Sequence, residues 1–354
     1  MTDHSRDVAI VAVSQTPAYE AFAGPEPVLI MRCVNDLLSR TGLERHDIDF
    51  TLAGSCDYLS GAPFAFVMNI DGVGAWPPVY ESHVEMDGAW ALFEAWIRLQ
   101  LGDIDVALVI GSGRSSPGNN REIFALQGDP YLAAPLGLDP ASLAGIQARA
   151  LLDANMATEA DFAAVVERSW QAAADNPNAL VRRSDTADEL LGQPYYAAPL
   201  RAHDVAPVAD GAAALLLVAG DRARELCERP AWIQGIEHRI ESHHPGFRDL
   251  TDSPSTRSAA EKVGAGGTFD VAELMVIHSH EEIIVRQALG LGDDTVVNPS
   301  GGPLGGHPVM ATGLVRVIEV ASRIADGSAQ RGLAHASSGA CLQQNLICVL
   351  QGDD

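Results

Sequence analysis

Cysteine is scarce and unpaired in this sequence, with five residues at positions 33, 56, 227, 341 and 348 and no C-x-x-C pair. An odd, scattered set argues against a disulfide framework and a cysteine zinc site, and it suits a reducing compartment. No apolar run reaches the ~18 residues of a membrane span. The start, Met1-Thr-Asp-His-Ser-Arg-Asp7, lacks the basic-then-apolar order of a secretory signal. A cytoplasmic location is expected. Positive charge is also short, with 23 basic against 47 acidic residues and a formal charge of −24. Such a chain repels nucleic acid and anionic membranes, so neither is an expected partner.

What is present is a long apolar budget, 47% of 354 residues, enough for a large core in two domains or a duplicated one. Strand patterns at 7–13, 48–54, 78–84, 105–111 and 212–218 alternate with helical ones at 28–38 and 86–101. After Pro230 a similar order returns. Strands are expected at 231–238, 274–280, 295–298, 331–336 and 345–350, and helices at 256–263, 282–289 and 309–324. Between about 114 and 209 the pattern is helical, at 143–155 and 160–174, and is broken by Asn176-Pro177-Asn178. Two halves, 1–228 and 229–354, with an insert at 114–209 in the first, are the expected organisation.

The chemistry concentrates in Asn298-Pro-Ser-Gly-Gly-Pro-Leu-Gly-Gly-His307-Pro-Val-Met-Ala-Thr-Gly313, a glycine-dense strand-to-helix turn that delivers one histidine. A second turn, Leu274-Met-Val-Ile-His278-Ser-His280-Glu281-Glu282, carries two more histidines and a carboxylate, with His278 and His280 expected on one side of a strand. Gly111-Ser-Gly113 lacks the third glycine and downstream acid of a dinucleotide loop. His238, His243 and His244 lack matched carboxylate or cysteine spacing, so no metal is expected.

The glycine-rich stretch closely resembles the Asn-x-x-Gly-Gly…Gly-His-Pro-x-Gly-Ala-Thr-Gly motif of the thiolase superfamily, with Met310 in place of a usual glycine. Asp210-Gly-Ala-Ala-Ala214, Asn176-Pro-Asn-Ala179 and Gln343-Gln-Asn345 resemble segments of its sterol-carrier, or lipid-transfer-protein, branch. The resemblance spans almost the whole chain. It implies a thiolase fold: duplicated βαβαβ halves in a layered αβαβα sandwich with a helical insert. It implies no bound cofactor, with coenzyme A entering as part of an acyl-CoA substrate. The partners it implies are a second copy or a thiolase-like paralogue, with a small zinc-ribbon and OB-fold protein as a further candidate.

Residue by residue, the resemblance makes His307 catalytic, and makes His280 the histidine of the second catalytic loop with Glu281 its acidic neighbour. It places His278, Glu281, Asn298, Gly305, Gly306, Ser337 and Ser338 around the substrate and Arg182 and Arg183 near the coenzyme A phosphates. The nucleophilic cysteine of a working thiolase matches Glu85, within Val84-Glu-Met-Asp-Gly88, so acyl transfer through that position is closed. Proton chemistry is left, and retro-aldol cleavage of a steroid-like or branched β-hydroxy acyl-CoA fits, with donors for the enolate expected from helix N-termini and glycine-loop amides. Related lipid-transfer proteins that cleave steroid side chains carry tyrosines at sites matching His280 and the neighbourhood of His307, and this sequence has neither. A non-catalytic subunit supporting a paralogue is therefore the alternative. A thiolase (acetyl-CoA acyltransferase) using Cys56 or Cys341 is the other.

Overall fold

A computed structural model describes residues 6–61 and 63–353. The first residues, read above for a targeting signal, lie outside that range. In the first half, β1 (Val8–Gln15), α1 (Glu26–Thr41), β2 (Phe50–Gly54), β3 (Glu81–Val84), α2 (Gly88–Leu101) and β4 (Val106–Gly113) precede the insert. The insert carries α3 (Pro140–Asp153) and α4 (Glu159–Ala173), and β5 (Gly211–Ala219) follows. The second half runs β6 (Ala231–Ile240), α5 (Pro254–Lys262), β7 (Val271–Leu274), α6 (Ser279–Leu289), β8 (Val296–Val297), α7 (Thr312–Ala325), β9 (Arg331–Ser338) and β10 (Gln344–Gln351).

The strands form one sheet in the order β8-β7-β9-β10-β6-β1-β5-β4-β2-β3. Each half follows the same rule: two antiparallel pairings outward from the centre, then two parallel ones. The β1–β6 contact joins the halves. Both faces of each half are covered, so central strands read as continuous apolar runs. Along β5, Ala213, Leu215 and Leu217 pack into the core that holds α2 and α7, while Ala212, Ala214, Leu216 and Val218 pack against α1. Along β10, Leu346, Cys348 and Leu350 join the same central core, and Ile347 and Val349 face α5 and α6. The chain is thus an αβαβα sandwich with α2 and α7 as its middle layer.

Glycines let those two helices begin side by side. A Cβ on Gly54 would lie 2.5 Å from the Gly88 nitrogen, and one on Gly111 would lie 2.7 Å from the Met310 oxygen. Asp87, the N-cap of α2, accepts from Ala89 N at 2.8 Å and, across the middle layer, from Gly313 N at 2.9 Å and Leu314 N at 3.0 Å. One buried carboxylate therefore caps both central helices. Gly88 N donates to the Met310 carbonyl at 2.9 Å, which holds Met310 at φ 69 and explains why the related motif prefers glycine there. The donors expected from these helix starts are already spent within the fold.

One expected element is misplaced. The strand read at 274–280 ends at Leu274, and His278 is the N-cap of α6. His280 is therefore in a first helical turn and not at a strand end, with its ring centroid 5.7 Å from that of His278.

Asp87→Ala leaves three buried amides without their acceptor and is expected to lower the unfolding free energy by about 2–4 kcal/mol. A urea titration would show this as a lower midpoint at unchanged slope, and an unchanged midpoint would show that the two helix starts do not depend on this carboxylate.

Candidate active site

The last segment of the insert, residues 204–209, brings the two histidine turns together. Val205 bridges His278, Ala206 N donates to Ile277 O at 2.8 Å, and Ser279 Oγ donates to Asp204 Oδ1 at 2.6 Å. Three residues on, Val208 pairs with His307, whose N donates to Pro207 O at 2.9 Å. His278 and His307 therefore hang from neighbouring positions of one strap.

The hydrogen-bond network determines both ring tautomers. Thr312 donates its hydroxyl to Pro308 O at 2.9 Å, so its Oγ1, 2.8 Å from His307 Nδ1, can only accept. His307 carries its hydrogen on Nδ1 and keeps a lone pair on Nε2. His278 Nδ1 lies 2.9 Å from Glu281 Oε1, and the other oxygen of that carboxylate accepts from Ile277 N and His278 N at 2.9 and 3.1 Å. An ionised carboxylate only accepts, so His278 carries a hydrogen on Nδ1, and its neutral form has the lone pair on Nε2. Burial pushes the Glu281 carboxyl up, but His278 and the amides around it hold it below its usual range.

His280 was the expected partner of His307; the strap that pairs with His307 pairs with His278. His278 and His307 keep 6% and 7% exposure, whereas His280 and His335 have none. His280 Nε2 faces Gln147 Oε1 at 3.1 Å, its ring packs on Phe162, and its Nδ1 has no partner. The first turn of α6 sets it against the insert, with its ring centroid still 5.7 Å from that of His278. The charges that bear on His307 include His278, Glu281 and Arg316. His335, which no sequence motif singled out, lies in β9 with Nε2 2.9 Å from Asn345 Oδ1. Burial pushes His280 down to about 3, and His307 and His335 down to about 4.

The glycine loop approaches protein where a ligand was expected. Gly305 O accepts from Leu180 N and Val181 N at 2.9 Å each, a Cβ on Gly306 would lie 3.1 Å from Ala18 Cβ, and Gly301 abuts Ala173. Asn298, at φ 49, accepts from Leu274 N at 2.6 Å and ties the loop to β7. Ser337 donates to Met275 O at 2.9 Å, and Ser338 is half-buried at the end of β9. These side chains brace the loops. Beneath them, buried Arg316 pairs with Glu273, and Ser300 Oγ donates to Glu273 at 2.8 Å. Arg182 and Arg183 are exposed on the insert, where Arg183 grips Asp185 through two bonds of 2.7 and 2.8 Å and lies over Trp170. No grouping that could hold a metal occurs among the described residues.

No family model matches the chain. An acetyl-CoA acetyltransferase of Methanothermobacter thermautotrophicus is 26% identical over 368 residues, covering 94% of this chain and 95% of the relative. The 17-hydroxy-3-oxo-4-pregnene-20-carboxyl-CoA lyase of Mycobacterium tuberculosis is 33% identical over 241 residues, covering 65% of this chain and 62% of the lyase. A solved Ltp2-ChsH2(DUF35) aldolase superposes with a TM-score of 0.80 over 98% of both chains at 20% identity. The chain is similar to thiolase-superfamily proteins over nearly its whole length, lipid-transfer-like ones among them.

For a thiolase relative, the place of the nucleophile is unusual. Glu85 is exposed, stands two residues before the α2 cap, and accepts from Asp57 N at 2.6 Å. It is not at the helix start, and Glu281 is the carboxylate that bears on the imidazoles. The neighbouring Cys56 thiol is raised by burial and by the Glu85 charge. Burial pushes the Cys341 thiol up to about 12. Neither thiol is poised as a thiolate.

The three depressed histidines make stability pH-dependent with a defined sign. The unfolded chain binds their protons near pH 6.5 and the folded chain does not, so stability falls as pH drops from there toward about 4. Each contributes up to ~1.4 kcal/mol per pH unit in that window. His335→Gln removes one such group and is expected to flatten the decline of Tm between pH 6.5 and 4, and an unchanged slope would show that His335 does not stay neutral in the fold.

Proposed function

We propose that this chain is a carbon–carbon lyase, or the catalytic subunit of one, that cleaves a β-hydroxy acyl-CoA side chain by a retro-aldol reaction. The observation that carries the reading is one strap that holds two histidines, His278 and His307, each engaged through Nδ1 so that Nε2 is left for a substrate, with no activated thiol beside them. His278 Nε2 takes the β-hydroxyl proton, the oxygen forms a carbonyl, and the Cα–Cβ bond breaks. The bond pair becomes the enolate of the thioester. The imidazolium faces that enolate and returns the proton to its α-carbon, with the His307 Nε2 lone pair as a second proton acceptor on that path. No electrons are gained or lost overall. Lys262 is the one lysine in the sequence and is exposed in α5, so a Schiff-base route has no amine at the site.

The lyase relative acts on a steroid carboxyl-CoA and the structural neighbour is an aldolase, which supports a steroid-type or branched acyl group here. That neighbour pairs with a DUF35 chain, which supports a hetero-oligomer as the working form. An exposed edge strand, β3, beside exposed Phe64, Trp76 and Tyr80 supports a thiolase-like dimer, with this chain or a paralogue as the second copy. Arg182 and Arg183 are proposed to meet the coenzyme A phosphates once Asp185 is displaced. The acetyltransferase relative favours acyl transfer as a second reading, through Cys56 beside Glu85.

In the purified complex, His278→Ala and His307→Ala are each expected to reduce release of the carbonyl fragment by about 10²-fold or more, with folding retained. The substrate is a β-hydroxy acyl-CoA with a bulky ring system. Full activity in both variants, with loss only on changing a partner chain, would make this chain a structural subunit. A cysteine-bound acyl adduct in mass spectrometry would restore the thiolase reading.

A further inference from the structure

Glu281 is a buried carboxylate, 3% exposed, and among the described residues its one ion-pair partner is His278. Its surroundings hold histidines from several elements: His278 and His280 on its own turn, His307 before α7 and His335 on β9. The Cys341 thiol lies toward it from the β9–β10 hairpin, where Arg248 donates to the Cys341 carbonyl at 2.8 Å. Arg316, beyond His307, is engaged by Glu273. A carboxylate in this position lacks a permanent cation and has one neighbour able to become one.

We propose that Glu281 is the positioning residue of the site, holding His278 with its hydrogen on Nδ1 so that Nε2 is free to take a proton. The geometry is directional. Oε2 is pinned by two amides of the same turn, Ile277 N and His278 N, and Oε1 is thereby presented to Nδ1. A ring flip would forfeit the Nδ1 bond, and an imidazolium formed at His278 meets its counter-charge at 2.9 Å.

The same geometry makes Glu281→Gln an inversion. Two backbone donors demand an oxygen on their side, so the glutamine amide turns its NH2 toward His278 Nδ1. That nitrogen must then accept, and the hydrogen moves to Nε2, the atom needed as base. Glu281→Asp keeps an acceptor and the charge.

The inference rests on the lyase reading for its kinetic part only. In the full-length chain carrying 15N-histidine, long-range 1H–15N correlations should show His278 protonated on Nδ1 in the parent and in Glu281→Asp, and on Nε2 in Glu281→Gln. In the purified complex, Glu281→Gln should lower kcat by about 10²-fold or more at every pH, with KM little changed, and Glu281→Asp should recover activity relative to it. An Nδ1-protonated His278 in Glu281→Gln, or full kcat in that variant while His278→Ala is inactive, would overturn the proposal. If His278→Ala and His307→Ala both keep full activity, the lyase reading fails while the tautomer result still decides the role of Glu281. Circular dichroism and the urea midpoint of each variant separate loss of fold from loss of tautomer.

Discussion

The convergence of α2 and α7 on the Asp87 carboxylate is the constraint from which the rest of the middle layer follows. Two helix N-termini bring like partial charges together, and an anion between them is the arrangement that makes their approach favourable. Glycines at 54, 88 and 111 remove the side chains that would hold the backbones apart. Burial raises the Asp87 carboxyl, although the three amides and Arg316 oppose it. With that anion built into the chain, these amides cannot serve a substrate oxyanion.

The insert acts as a clamp. It returns to the sheet through residues 204–209, touching first the His278 turn and then the His307 loop, and its helices close from the other side. Arg168 of α4 pairs with Glu282 of α6, Gln147 of α3 bonds His280, and Trp170 Nε1 donates to Leu304 O at 3.1 Å. Each contact joins residues more than 100 positions apart. The glycine loop is thus gripped between insert and sheet, which explains its composition by close packing of protein on protein. A preorganised pair of bases on braced turns is what proton transfer requires.

Electrostatically the site gathers imidazoles around the Glu281 carboxyl, which His278 holds below its usual range against the effect of burial. Desolvation keeps His280, His307 and His335 uncharged, so a proton entering the pocket has its compensating charge at Glu281, next to His278. The buried thiols are disabled by the same desolvation. Burial thus lowers these imidazoles and raises these thiols together.

Much of this was legible beforehand. Apolar periodicity located the seven longest helices and, β7 apart, the strands of the large sheet, because burial on one or two faces imposes periods of 2 and 3.6 along the chain. The thiolase resemblance followed from residues 298–313, and the duplicated order from repeated patterns. The N-cap role of Asp87 could have been read from its place one residue before the α2 pattern, but its reach to Gly313 and Leu314 could not. The short β7 ends four residues before His278, and a continuous apolar run from Leu274 to Ile277 hid that break. Local sequence thus determined which residues were available: two histidine turns, a carboxylate three positions after one of them, and no cysteine at the matched position. Tertiary structure alone decided that His278 and His307 share one strap, because that strap lies more than 70 residues away in sequence from the His278 turn.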